Sequence, residues 1–143
     1  MTSITRSALV MHSVEQMYAL VNDVETYPQF LSGCVATELI SKKDEELVAS
    51  LTISKAGVNQ TFTTRNLLQF PNRMELTLVD GPFDQFLGVW AFKRLSAEAC
   101  KVSFDMDFEV NNKLTGMALE AVFKQMATTM VDSFVSRAKH VYG

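Results

Sequence analysis

A chain of 143 residues with 48% hydrophobic side chains has room for one domain with its own core, and it is too apolar to stay disordered. A net charge of -3, with Lys and Arg scattered and only Lys42-Lys43 and Lys93-Arg94 adjacent, leaves no basic stripe, so binding of bare DNA is not expected. Cys34 and Cys100 make neither a disulfide framework nor a zinc spacing, and no run of about 18 uncharged apolar residues offers a membrane span.

The residues before Ser13 carry one Arg and no apolar run, so they do not read as a secretory signal. A reducing cytoplasm is the expected compartment. Residues 4–10 read as a first strand with Ile4, Ala8 and Val10 on one face. Ser13 reads as a helix N-cap with Gln16 at the capping-box position, followed by Met17, Leu20, Val21 and Val24 at helical spacing. Pro28 interrupts, and Tyr27, Phe30 and Leu31 are expected on a second short helical turn.

The middle of the chain alternates as strands do. Residues 34–42, 47–55, 58–69, 73–80, 84–95 and 100–110 are separated by Asp44-Glu45-Glu46, Ala56-Gly57, Pro71-Asn72 and Asp80-Gly81-Pro82, with Gly88 expected as a bulge. In the last strand Val102, Phe104, Met106, Phe108 and Val110 share one face, and Ser103, Asp105, Asp107 and Glu109 share the other. One dry and one wet face mark an antiparallel sheet covered on a single side. Asn112 is the expected cap of a helix from about Lys113 to Tyr142, whose Leu119, Phe123, Met126, Met130 and Phe134 form a stripe widened by Ala127, Val131 and Ala138. The pattern is α+β, with helices on one side of a curved sheet of about seven strands. A curved sheet gripping a long helix cannot pack flush along its length, so a cavity between them is the expected place for a small molecule. A filled core fits the same periodicity.

Few residues suggest chemistry. No phosphate-binding loop, dinucleotide fingerprint, zincin helix or nucleophile elbow is present. His140 suits a helix C-terminus, where the dipole favours a cation, and His12 reads as structural at a strand end. A Cys34–His12 nucleophile pair is conceivable, but nothing in the sequence brings the two together, and Cys34 and Cys100 read as inert buried thiols. Asp105, Asp107 and Glu109 project together but toward solvent, so no metal site is expected there. The irregular segment Asp23–Leu31, and with it Gly81-Pro82-Phe83, reads either as packed corners or as the mouth of the cavity.

The stretch from Val21 through Tyr27-Pro28-Gln29-Phe30-Leu31 to Gly33-Cys34 resembles the signature of the coenzyme Q-binding START-domain proteins. Ser54-Lys-Ala-Gly57, Thr61-Phe-Thr-Thr-Arg-Asn66, Val79-Asp-Gly-Pro-Phe83, Trp90, Phe92 and Arg137-Ala-Lys139 support the resemblance, which covers nearly the whole chain. Ser32, where proline is expected, and Val110, where Phe is usual, depart from it. The resemblance implies a helix-grip fold and no catalytic residues. It also implies two functions. One is non-enzymatic binding of ubiquinone or a related polyisoprenoid lipid in support of respiration, with peripheral membrane contact and no required cofactor. The other, the alternative, is a toxin that binds the large ribosomal subunit and blocks subunit association. A cyclase or hydratase reading lacks an acid/base pair and ranks last.

The residues expected to contact an apolar ligand, at the cavity wall or mouth, are Tyr27, Phe30, Leu31, Phe62, Phe83, Trp90, Phe92, Phe104, Met106, Phe123, Met126, Met130 and Phe134. Each buried methylene of a lipid tail contributes about 0.8 kcal/mol against such walls, with little need for charge.

Overall fold

Alternating apolar and polar residues form one antiparallel sheet, from the first strand and from the run that begins at Cys34. The computed structural model describes residues 1–111 and 116–143. Its strands are β1 (Thr2–Val10), β2 (Cys34–Lys42), β3 (Glu46–Lys55), β4 (Val58–Gln69), β5 (Arg73–Asp80), β6 (Phe83–Ser96) and β7 (Ala99–Val110). They lie in the order β1-β7-β6-β5-β4-β3-β2. Strands joined by short turns are neighbours, as hairpins require. The helical excursion between β1 and β2 carries the chain from one sheet edge to the other. It consists of α1 (Val14–Asn22) and a 3-10 helix (Val24–Gln29).

Ser13 closes a capping box on α1. Gln16 N donates to Ser13 Oγ at 3.1 Å, and Ser13 N donates to Gln16 Oε1 at 3.0 Å. Such a cap contributes about 1 kcal/mol. Met17, Leu20 and Val21 turn inward from this helix, and Val24 from the turn that follows. Tyr27 belongs to the 3-10 helix, Phe30 caps it, and Leu31 lies just beyond. The chain folds back through Leu31 N donating to Tyr27 O at 2.9 Å and the Tyr27 hydroxyl donating to Val21 O.

In β7 the dry face is buried at Val102, Phe104, Met106 and Phe108, while Val110 is half-buried at the strand's end. Trp90 of β6 stands opposite Phe104 of β7, and their ring centroids are 4.4 Å apart. Gly88 corrects the sequence reading. It pairs in regular register with Met106 and Leu76, and the irregularities of β6 lie between Phe83 and Gln85 and between Arg94 and Ser96. A Cβ at Gly88 would sit 3.1 Å from Met106 Cε and 3.5 Å from the Phe104 ring. The glycine therefore answers crowding on the inner face rather than a kink in the strand.

The long helix α2 is described from Gly116 to Tyr142, about 40 Å of helix. The expected cap at Asn112 and start at Lys113 lie outside the described residues. Leu119, Val122, Phe123, Met126, Ala127, Val131, Phe134 and Ala138 of α2 are buried against the dry face, and Met130 is half-buried. Val122 joins the stripe because its position, one before Phe123, still lies within the wide apolar arc. The helix touches β1, β7 and β4 and receives α1 at its side. No described helix is long and apolar enough to cross a membrane.

Candidate functional site: an apolar cavity under the long helix

Between α2 and the middle of the sheet the two surfaces separate. The space holds about 650 Å³ not filled by atoms, its open mouth included. Its free interior is narrow, with about 50 Å³ in which the centre of a water molecule can move. The sheet supplies Leu51 and Ile53 from β3, Phe62, Thr64 and Asn66 from β4, Leu76 from β5, Phe86 and Trp90 from β6, and Phe104 and Met106 from β7. The helix supplies Phe123, Met126, Ala127 and Met130, and the corner segment supplies Val24, Tyr27, Leu31 and Cys34.

Of the residues named from sequence, Tyr27, Leu31, Phe62, Trp90, Phe104, Met106, Phe123, Met126 and Met130 line this space. Four do not. Phe134 is fully buried behind the wall, edge-on to Trp90 and Tyr27. Phe92 lies under α1 against Tyr18. Phe83 is buried among Phe62, Phe86, Phe108 and Phe123, so the Gly81-Pro82-Phe83 segment packs into the core and does not border the cavity. Phe30 lies on an outer groove with Arg137, whose guanidinium stands 5.1 Å from the ring and donates to Gln29 Oε1 at 3.0 Å. Three of the four, Phe83, Phe92 and Phe134, face inward as their phase requires and still miss the void. Periodicity says which side chains face inward, but not which inward positions touch a void.

The reading from sequence missed Thr64 and Asn66. Both are almost wholly buried, at 2% and 3% exposure. Thr64 Oγ1 donates to Asn66 Oδ1 at 2.9 Å. The signal was present, because positions 62, 64 and 66 share a face. Two polar residues in phase with an inward Phe62 break the alternation.

The cavity wall offers little reactivity. Its titratable groups are Tyr27 and Cys34. Burial, then the nearby Cys34 and Asp23, pushes the Tyr27 phenol far up. Burial pushes the Cys34 thiol up to about 11, opposed in part by a hydrogen bond from the Ala36 backbone. Both groups stay protonated at neutral pH, and a protonated thiol is a poor nucleophile. The partner of Cys34 Sγ is Ala36 O at 3.9 Å, whereas His12 packs against Tyr142, with ring centroids 5.8 Å apart. His140 is exposed in the last turns of α2. Asp105 and Glu109 are exposed on the wet face, and Asp107 accepts from Ser3. Among the described residues, no group of three or more His, Cys, Asp or Glu converges to hold a metal ion.

Comparison with known proteins agrees with this architecture. The family described as polyketide cyclase / dehydrase and lipid transport matches residues 10–135. The chain is 49% identical over 142 residues to the ribosome association toxin RatA of Escherichia coli strain K12, covering 99% of this chain and 90% of that protein. It is 24% identical to the mitochondrial coenzyme Q-binding protein COQ10 of Drosophila melanogaster, over 97% of this chain and 59% of that one. The fold is shared with the Zhui aromatase/cyclase of Streptomyces sp. R1128 (TM-score 0.87, 16% identity, 99% and 96% of the two chains covered). It is shared too with a START superfamily protein of Mycobacterium smegmatis (TM-score 0.81, 17% identity, 97% and 98% covered). With a helix-grip sheet, an apolar cavity and a family match over most of its length, the chain belongs to the polyketide cyclase / dehydrase and lipid transport family, on the branch of the RatA relatives.

Proposed function

We propose that this chain acts without catalysis on ribosome association, binding the large subunit and hindering its union with the small one. The observation that supports this most is the 49% identity to a ribosome association toxin along 99% of the chain. The acidic net charge of -3 argues for a local contact rather than a broad basic face. Arg137 and Lys139 near the end of α2 are candidate contacts to phosphate, set on different sides of the helix because they are two positions apart. Expression of the chain followed by sucrose-gradient profiling tests this. Free subunits should accumulate at the expense of joined ribosomes, and an unchanged profile would remove the reading.

The cavity favours a second reading, which concerns what the fold holds rather than what it touches. Its lining is mostly apolar, with Phe, Met, Leu, Ile and Trp in the majority, which suits an apolar ligand such as a ubiquinone-like polyisoprenoid lipid. The free interior is narrow, so Met106, Met126 and Met130 must change rotamer to admit a chain. Methionine does this at little expense. Protein purified from its native host should carry extractable quinone visible by mass spectrometry. Protein that arrives empty and takes up no added quinone would count against this reading.

A further inference from the structure

Strand β4 presents Phe62, Thr64 and Asn66 to the cavity, and two of these three are polar. An amide has two N–H donors and one carbonyl acceptor. The Thr64 hydroxyl serves the carbonyl of Asn66 at 2.9 Å, while Asn66 Nδ2 donates to no described residue. The amide is 3% exposed and borders the space under α2. Nδ2 is not one of the fully enclosed polar atoms without a partner, so it keeps access to that space and can serve an acceptor that enters it. The rest of the lining is apolar or engaged. The Tyr27 hydroxyl is committed to Val21 O, and the lining contains no Lys, Arg or His. A charged ligand group would find no counter-charge there, and burying it unpaired is prohibitive.

We propose that Asn66, oriented by Thr64, is the polar contact of the cavity and selects neutral apolar ligands carrying a carbonyl oxygen, which accepts from Asn66 Nδ2. This rests on the reading of the cavity as a ligand site and adds the chemical class that the site prefers. Thr64 acts as a positioning residue, because its hydroxyl holds the amide carbonyl and turns the NH₂ group to the void. The remainder of the ligand lies among Phe62, Leu76, Trp90 and Met126.

A matched pair of probes tests this, 1-tetralone and tetralin, which differ in one carbonyl. Both are titrated into the full chain and followed by NMR. The ratio of tetralone to tetralin affinity should be about three- to tenfold higher in the natural protein than in Asn66→Leu, the range of one net hydrogen bond. The side-chain NH₂ signals of Asn66 should move with tetralone and stay with tetralin. That readout needs no variant. The double variant Thr64→Val with Asn66→Leu removes both polar groups and leaves neither unpaired, so it serves if the single change does not fold. An unchanged affinity ratio, or amide signals that ignore tetralone, would overturn the proposal while leaving the cavity as a ligand site. Binding of neither probe to the natural protein would overturn both together.

Discussion

Phe134 of α2 meets Trp90 of β6 edge-on, with ring centroids 5.3 Å apart and planes at 85°. Both side chains are fully buried, and Phe134 also contacts Tyr27 and Phe30. One residue of the helix thus ties the sheet to the corner segment. Replacing it with Ala removes a large apolar side chain and leaves a cavity. Phe134→Ala should destabilise the fold by about 3–5 kcal/mol, read from urea unfolding followed by fluorescence of Trp90, the only Trp in the chain. A loss below about 1 kcal/mol would mean that the helix is not anchored there.

The β3–β4 hairpin carries local strain. Lys55 pairs with Val58 across a two-residue turn of Ala56 and Gly57, and Ala56 adopts φ 52°. A left-handed conformation costs an L-residue with a Cβ roughly 1 kcal/mol, and Asn bears it better than Ala. Ala56→Asn should therefore stabilise the chain by about 0.5–1 kcal/mol with no change of fold. A lower denaturation midpoint would contradict this account of the turn.

The Cys34 thiol sets a pH dependence. Its folded pKa lies at about 11, raised by burial. In the unfolded chain a thiol ionises near 8.5. Below that pH both states keep the proton, so Cys34 contributes no slope. Between there and about 11 the unfolded chain releases a proton that the folded chain retains, so stability falls as pH rises. The urea midpoint should hold steady from neutral pH to the unfolded thiol's pKa and then decline, and the decline should be shallower in Cys34→Ala. Equal declines in both proteins would assign the effect elsewhere, to Cys100 or Tyr27, whose ionisation burial also opposes. In the native state Cys34 should react with iodoacetamide far more slowly than a free thiol.

Arg137 and Lys139, on different sides of α2, are the candidate phosphate contacts of the proposed ribosome interaction. Arg137 is also held by Gln29 and Phe30, whereas Lys139 is exposed. If both neutralise phosphates, the double change Arg137→Ala with Lys139→Ala should weaken co-sedimentation with the large subunit and lower the slope of log affinity against log salt by about 2. A slope equal to that of the natural protein would place the contact on another surface.

Much of the fold was legible in the sequence, because it rests on phase. The strict alternation of β7 and the step of three and four along α2 each fix which face turns inward, and the Ser13–Gln16 capping box fixes where α1 begins. The cavity was less legible. Curvature made a cavity the expectation while a filled core fitted the same periodicity, and the wall depends on where two surfaces part, which no local pattern encodes. Phe83, Phe92 and Phe134 face inward as their spacing requires and still lie away from the void. Gly88 illustrates a related limit. A strand glycine signals either a bulge or a close approach, and only the tertiary neighbours Met106 and Phe104 separate the two. Thr64 and Asn66 were readable as a break in alternation, but a buried polar pair declares a site only when its partners are known.

Binding to the large subunit is tested most simply by sedimentation of purified 30S and 50S subunits with the purified protein, under conditions that otherwise let them join. The protein should travel with the 50S peak, and the 70S peak should shrink as protein is added. A full 70S peak, with all of the protein left at the top of the gradient, would contradict it.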